Sequence, residues 1–207
     1  MRINQIYDLL APIYRRVVPP MYDLATSRAA QRLSAGAPTT VLEVGVGPGH
    51  LLAAVGKRNP DARAVGVDIS GRMLEASRAE LERSGTPADL VRADATKLPF
   101  RDRAFEGVVA FFLLDLFWKE KIPDALREMH RVLAPGGRIV VASLQFSNPV
   151  IKRAWMLTHR FMPDVFAALR PLDFKDLLEN TGLRVLQDEV IAQAAGTRLL
   201  TLVKVRA

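Results

Sequence analysis

The sequence predicts an α/β protein in which helices cover both faces of a seven-stranded, mostly parallel sheet that ends in an antiparallel hairpin. Short apolar runs alternate with helix-like segments from residue 39 onward, and this order is typical of parallel strand–helix–strand units. The last two apolar runs, 183–191 and 199–205, are joined by a short connection that contains Gly196. Because a parallel pair needs a crossover of about a dozen residues or more, these two strands must be antiparallel.

The remaining elements follow from hydrophobic periodicity and from residues that begin or end helices. Strands are predicted at 41–45, 64–68, 88–93, 107–112 and 138–143, and helices at 50–58, 70–85, 121–133 and 173–181. Ser70 can cap the start of the second helix, and Gly85 can end it in the left-handed conformation. Pro135 and the two glycines after it are predicted to end the third helix and to turn into the fifth strand.

Composition excludes several classes of protein. The 207 residues include no cysteine, which excludes disulfides and thiolate chemistry, and the three histidines lack metal-ligand spacing. No apolar run reaches the roughly 18 residues that span a bilayer, and the N-terminus lacks the pattern of a signal peptide. We therefore expect a cytoplasmic protein, a monomer, and no metal site.

The net charge of +7 is concentrated in two segments. Residues 1–34 hold five arginines and two aspartates, and residues 145–172 hold four basic residues and one aspartate. Both segments are also rich in aromatic and aliphatic residues, which favours peripheral contact with an anionic membrane over nucleic-acid binding. No nucleic-acid-binding motif is present. The alternative is that these charges are ordinary solvated surface.

Three glycines follow the first predicted strand, in the segment 41–49. Gly45, Gly47 and Gly49 let the backbone turn tightly and let a ligand approach the main chain at the carboxyl end of the strand. Glu43 precedes this loop, where it would repel the pyrophosphate of NAD or FAD but attract the sulfonium and α-ammonium of S-adenosylmethionine (SAM). It could also order the loop by accepting backbone N–H groups. SAM is the predicted cofactor, and a nicotinamide oxidoreductase is the alternative.

Acidic residues end the next two predicted strands. Asp68 can accept hydrogen bonds from both ribose hydroxyls of the cofactor, or it can cap the following helix. Asp94 would accept from the adenine amino group while the Ala95 N–H donates to the ring, and Ile69 and Met73 would enclose the adenine; alternatively Asp94 is only a loop residue. The predicted cofactor-binding residues are Glu43, Gly45, Gly47, Gly49, Asp68, Ile69, Met73, Asp94, Ala95 and Phe111.

Two later segments add a family resemblance. Residues 94–106 read DATKLPFRDRAFE, and residues 131–138 read RVLAPGGR. With the glycine loop and Asp68 before them, these segments make residues 39–206 resemble the class I SAM-dependent methyltransferases. The resemblance implies a Rossmann-like domain that transfers a methyl group from SAM.

Within that class, the sequence resembles two groups. Residues 145–149, QFSNP, resemble a segment of the ubiquinone/menaquinone C-methyltransferases, with Gln145 in the place of their glutamate. Residues 7–14, YDLLAPIY, and 42–47, LEVGVG, resemble bacterial phosphatidylethanolamine N-methyltransferases. Both resemblances imply a lipid-like acceptor at the membrane surface, either a quinone precursor or a phospholipid headgroup amine. A soluble small-molecule acceptor and a non-catalytic SAM-binding protein are the alternatives.

Methyl transfer from SAM depends mainly on orienting the acceptor, so a dedicated catalytic residue is not required. A general base is needed if the acceptor loses a proton. Candidates are Tyr7, Tyr14, Tyr22, Asp115 and His159. Tyr7 and Tyr14 are preferred because their spacing places them on one helix face and because they lie in the segment that resembles the N-methyltransferases.

Residues 1–18 predict an amphipathic helix, broken near Pro12, that docks on anionic membranes and covers the active site.

The length fits one domain. Within it we predict an N-terminal helical lid over 1–36, a SAM-binding core over 39–145, a substrate-side insertion over 145–172, and a C-terminal helix and hairpin over 173–207.

Overall fold

The computed structural model describes residues 22–145, 172–192 and 196–205, and these form the predicted α/β architecture. The strands of the described residues are β1 (Thr40–Val44), β2 (Arg63–Asp68), β3 (Asp89–Arg92), β4 (Phe105–Phe111), β5 (Leu133–Leu144), β6 (Leu183–Ile191) and β7 (Thr197–Lys204). The helices are α1 (22–34), α2 (His50–Arg58), α3 (Gly71–Ser84), α4 (Ile122–Val132) and α5 (Phe174–Leu177). Two short 3-10 helices, Leu114–Leu116 and Lys119–Lys121, follow β4.

The strands form one sheet in the order β3-β2-β1-β4-β5-β7-β6. Strands β1 to β5 are parallel, and β7 is antiparallel to both of its neighbours, β5 and β6. The chain moves outward from β1 to β3 and then crosses to β4 on the other side of β1. This reversal creates a crevice at the carboxyl ends of β1 and β4, where ligands bind in sheets of this kind.

Both faces of the central strands are buried, which explains their continuous apolar runs. Leu42, Val108 and Val141 pack with α4 on one face of the sheet. Alternate residues of the same strands pack against α1 on the other face, where Ala29 and Leu33 are fully buried. Residues 22–34 of the predicted lid are therefore a helix packed on the sheet.

The residues predicted to begin and end α3 do so in the structure. The Ser70 side chain accepts the backbone N–H of Met73 at the start of α3, and Gly85 ends the helix in the left-handed conformation with φ 65°. The apolar face of α3 comprises buried Met73, Leu74 and Leu81. Helix α2 has the predicted bounds.

Two predicted boundaries are wrong. Strand β5 begins at Leu133, directly after α4, so the Pro-Gly-Gly segment lies inside the strand instead of before it. The pairing with β4 absorbs this segment as an irregularity between Phe105 and Gly107, and Gly136 takes a φ of 79°. Helix α5 ends at Leu177, four residues before the predicted end, and Asn180 then adopts a φ of 58°, which is incompatible with a helix.

In the described part of the chain, no helix has both the length and the apolar character needed to cross a membrane.

Candidate active site

The glycine loop lies at the carboxyl end of β1, in the crevice between β1 and β4. Its backbone is held against the end of β2, because the N–H groups of Gly45 and Val46 both donate to the carbonyl oxygen of Val67 at 2.8 Å. Gly45, Gly47 and Gly49 have φ values of 72°, 50° and 85°, all in the left-handed region that favours glycine.

The glycines differ in what surrounds them. A Cβ atom on Gly45 would lie 2.6 Å from Leu113 Cδ1, and one on Gly49 would lie 2.6 Å from Ser77 Oγ. A Cβ atom on Gly47 would meet nothing within 4 Å. Gly45 and Gly49 therefore serve close packing, while Gly47 leaves its side of the loop open to a ligand.

Glu43 has a buried carboxyl group below this loop, with the residue only 2% exposed. It accepts a hydrogen bond from the backbone N–H of Leu52 in the first turn of α2, but its Oε2 atom is buried without a partner. Burial raises the pKa of this carboxyl well above its ordinary value, and the negative charge of Asp68 adds to the effect. A cationic ligand would supply the missing partner, so the sulfonium and ammonium groups of SAM fit this site.

Asp68 connects the glycine loop to the start of the next helix. Its Oδ2 accepts the N–H of Gly47 and its Oδ1 accepts the N–H of Ser70, both at 2.9 Å. Each carboxylate oxygen has a second lone pair, so these bonds fix the orientation of the group without exhausting its capacity to accept hydrogen bonds. Such a fixed acceptor at the end of β2 is suited to binding a ribose.

The predicted adenine contacts are not equally accessible. Ile69 is 48% exposed and Met73 only 3%, so Ile69 presents the larger apolar surface to a ligand. Asp94 is exposed, and its Oδ1 accepts both the N–H and the hydroxyl of Thr96 at 2.8 Å. Ala95 is buried at 9% exposure. Asp94 thus orders its own loop, and its other carboxylate oxygen is the one available for an adenine amino group.

Aromatic rings line the end of β4. The Phe111 ring packs edge-on against Phe112 with centroids 4.7 Å apart, and the Tyr22 ring lies 4.3 Å from Phe112. Phe112 adopts a φ of 52°, and Leu113 then packs over Gly45. The sequence pattern gives no signal for Leu113, because its role depends on contact with a loop that is distant along the chain.

Three predicted catalytic candidates, Tyr7, Tyr14 and His159, lie outside the described residues. Tyr22 and Asp115 lie within them, close enough that the negative charge of Asp115 adds to burial in raising the pKa of the Tyr22 phenol. The described residues contain no group of side chains suited to a metal ion.

Comparison with known proteins shows that the chain is similar to methyltransferases. A family model described as a methyltransferase domain matches residues 41–137. The chain is 39% identical over 156 residues to a demethylmenaquinone methyltransferase of Thermus thermophilus, covering 74% of this chain and 66% of the relative. It is 43% identical over 113 residues to the ubiquinone/menaquinone biosynthesis C-methyltransferase UbiE of Pseudomonas fluorescens, covering 53% of this chain and 42% of the relative. The chain spans between 42% and 66% of the length of these two relatives.

Solved structures share the fold at low sequence identity. The cyclase SpnF aligns with a TM-score of 0.76 at 19% identity, over 97% of this chain and 94% of its own. A magnesium protoporphyrin IX methyltransferase from Synechocystis, solved with bound SAH (S-adenosylhomocysteine), aligns with a TM-score of 0.74 at 14% identity, over 91% of this chain and 85% of its own.

Proposed function

The chain belongs to the class I SAM-dependent methyltransferases, and we propose that it transfers the methyl group of SAM to a ring carbon of a quinone precursor. When bound, SAM supplies a methyl group that its sulfonium makes electrophilic. In this proposal Glu43 faces the cationic part of the cofactor, Asp68 orients the ribose, and Ile69 and Asp94 contact the adenine. The unpartnered, buried Glu43 Oε2 beside an open glycine loop is the observation that carries the cofactor assignment.

The acceptor assignment has a separate basis. Relatives at 36–43% identity are named for methylation in quinone biosynthesis. A phospholipid headgroup amine is the second lipid-like acceptor, favoured by the segment 7–14, which lies outside the described residues. A quinone precursor is apolar and phenolic, so it requires a site that is shielded from water and able to take up a proton.

A melting experiment tests the cofactor assignment. SAM or SAH at a hundred times its dissociation constant should stabilise the protein by about 2.7 kcal/mol. That stabilisation corresponds to a rise in melting temperature of about 5–10 °C for a domain of this size. NAD should give no shift, because its pyrophosphate would face Glu43. A shift with NAD and none with SAM would contradict the assignment.

An activity experiment tests the acceptor. The protein is incubated with methyl-labelled SAM and, in separate reactions, a demethylated hydroquinone, phosphatidylethanolamine vesicles and an extract of polar metabolites. We expect label in the hydroquinone alone, on a ring carbon. Asp68→Ala, which removes the proposed ribose acceptor, is the control for transfer at this site. Label in the phospholipid or only in the polar extract would refute the quinone assignment while leaving the cofactor assignment intact.

A further inference from the structure

Asp115 is a buried carboxyl group at the edge of the sheet where the cofactor loop lies. It belongs to the 3-10 helix Leu114–Leu116, which begins three residues after the last residue of β4, and it is fully buried. Its Oδ2 accepts the backbone N–H of Leu144 at 3.2 Å, at the end of β5. Its Oδ1 is buried and has no hydrogen-bond partner.

This arrangement is costly for a group with only a structural role. A buried carboxyl with one unsatisfied oxygen destabilises the fold, and an asparagine would accept the Leu144 N–H equally well. Burial raises the pKa of Asp115 well above its ordinary value, and the single bond from Leu144 opposes this only in part. A carboxyl with a raised pKa is a stronger base once it is ionised, as proton-transfer catalysis requires.

Asp115 lies near residues of the cofactor loop and near residues that adjoin the predicted substrate-side segments. Two residues earlier, Leu113 packs over Gly45 of the cofactor loop. Among the described residues, Tyr22 of α1 is close enough to Asp115 for its pKa to be raised by the charge of that carboxylate, and the preferred catalytic tyrosines Tyr7 and Tyr14 precede Tyr22 in the chain. Leu144, which bonds Asp115, comes just before the predicted substrate-side insertion. Asp115 thus lies close to Leu113, which packs over the cofactor loop, close to Tyr22 at the start of the described residues, and in contact with Leu144, which precedes the predicted insertion.

We propose that Asp115 accepts the proton that the acceptor loses during methylation, an inference that rests on the proposed function. The phenolic O–H of the acceptor gives its proton to Asp115 Oδ1. The neighbouring ring carbon forms a bond to the methyl carbon as the bond from methyl to sulfur breaks, and that electron pair stays on sulfur. The ring carbon then loses its hydrogen to water as a proton, while Asp115 returns its proton to the ring oxygen. One proton is released in total.

Asp115→Asn separates this role from a structural one, because the amide oxygen still accepts the Leu144 N–H but the side chain cannot take a proton. We expect kcat to fall by at least about 100-fold while the affinity for SAH, measured by calorimetry, changes by less than about threefold. At saturating SAM, where the pH dependence of cofactor affinity does not affect the rate, the wild-type kcat/KM for the acceptor should rise with pH to a plateau, because the base must be ionised, and this rise should be absent in D115N.

Ser143→Ala is the matched control. Ser143 precedes Leu144 on β5, and its hydroxyl is also buried without a partner, but it cannot act as a base at neutral pH. Its kcat should stay within about threefold of the wild type. Undiminished activity of D115N, an equal loss in S143A, or a wild-type rate that falls with rising pH would each overturn the proposal. Should D115N fail to fold, the direction of the wild-type pH profile decides.

Stability provides a readout that does not depend on the acceptor. Because folding raises the pKa of Asp115, the folded protein favours the protonated carboxyl, so the protein is relatively more stable below the ordinary pKa and loses this stability as pH rises through the raised value. Urea unfolding from about pH 4 to about pH 8 should therefore shift in favour of D115N relative to the wild type. A difference that stays constant with pH would overturn the proposal. A wild type that shows this titration but methylates no hydroquinone would instead refute the proposed function.

Discussion

The two carboxylate oxygens of Glu43 differ in their hydrogen bonding. One carboxylate oxygen accepts the Leu52 N–H at the start of α2, where helix donors have no internal partner. The other oxygen is buried without a partner, so the ionised form is costly until a cation arrives. We therefore expect the binding of SAM, in the orientation proposed above, to be coupled to ionisation of Glu43.

This coupling predicts a pH dependence for the affinity of SAM. Since burial raises the pKa of Glu43, the carboxyl is partly protonated above its ordinary pKa, and SAM favours the ionised form. Affinity should rise with pH, by at most about tenfold per pH unit, and level off above the raised pKa. Calorimetry in two buffers of different ionisation enthalpy should detect proton release on binding.

Glu43→Gln is the control, because it keeps the shape and an oxygen for Leu52 but cannot ionise. Its affinity should be weaker at high pH, and any pH dependence that remains belongs to SAM itself. Equal pH dependence in the wild type and the variant would mean that Glu43 does not face the cationic part of the cofactor.

Among individual residues, the sequence predicts those that lie at the ends of strands. It does not predict contacts between segments that are distant along the chain. Glu43, Gly47 and Asp68 are predictable because each occupies a fixed offset from an apolar run. The packing of Leu113 on Gly45 and the burial of Asp115 depend on the approach of the end of β4 to loops that are distant in sequence, and local patterns carry no information on such contacts.

Helix α4 clamps the loop that leads from the candidate adenine site to β4. Arg131 donates to the carbonyl oxygens of Phe100 at 2.7 Å and of Leu98 at 2.9 Å, and to Asp102 at 2.8 Å. It also forms an ion pair with Glu128, whose carboxylate accepts the Leu98 N–H at 2.7 Å. The hydrogen bonds from Arg131 hold the pKa of Glu128 below its ordinary value. The segment 94–106, which carries part of the family resemblance, is thus held on the α4 side by Arg131 and Glu128.

Arg131→Met should destabilise the protein, because it leaves two loop carbonyls and two carboxylates without their donor. We expect a loss of about 2 kcal/mol in the free energy of unfolding, or about 4–8 °C in melting temperature. The matched control is Arg127→Met on the same helix, where Arg127 pairs with Asp124 at the same spacing but is 60% exposed. That variant should lose less than about 1 kcal/mol. Equal losses in the two variants would contradict the clamp.

The elements show where sequence patterns are reliable. Helix α3 matches the prediction because periodicity and both caps agree over several turns, and α2 matches it because its periodicity is clear. The boundary between α4 and β5 does not, since Pro135, Gly136 and Gly137 favour a turn locally while pairing with β4 draws them into the strand. Tertiary pairing outweighs local preference there, and sequence patterns do not report the pairing.

Across the whole molecule, the proposed function places both the cofactor and the acceptor at the carboxyl edge of the sheet. Ile69, which follows the end of β2, is 48% exposed, and Trp118, which lies between the two 3-10 helices that follow β4, is 66% exposed. An exposed tryptophan is suited to the boundary between water and lipid. An enzyme with an apolar acceptor gains by presenting such an edge to the membrane that dissolves the acceptor.

The charge distribution leads to a prediction about membranes. Three arginines, Arg2, Arg15 and Arg16, flank the apolar positions of the segment 1–18, which lies outside the described residues. If this segment docks on lipid, the protein should float with vesicles that contain anionic phospholipid and not with neutral vesicles. Each arginine contributes only about 1 kcal/mol near such a surface, so flotation should weaken as salt shortens the screening length.

Deletion of residues 1–18 separates docking by this segment from a general effect of the net charge. The shortened protein keeps most of its positive charge, so attraction of the whole molecule would leave flotation largely unchanged, whereas docking by the segment requires that flotation be lost. Turnover of a vesicle-borne hydroquinone should fall with it, while turnover of a water-soluble hydroquinone should fall less, because that acceptor does not have to be taken from lipid. Equal recovery of the full-length protein with anionic and neutral vesicles would favour an acceptor that reaches the site from water.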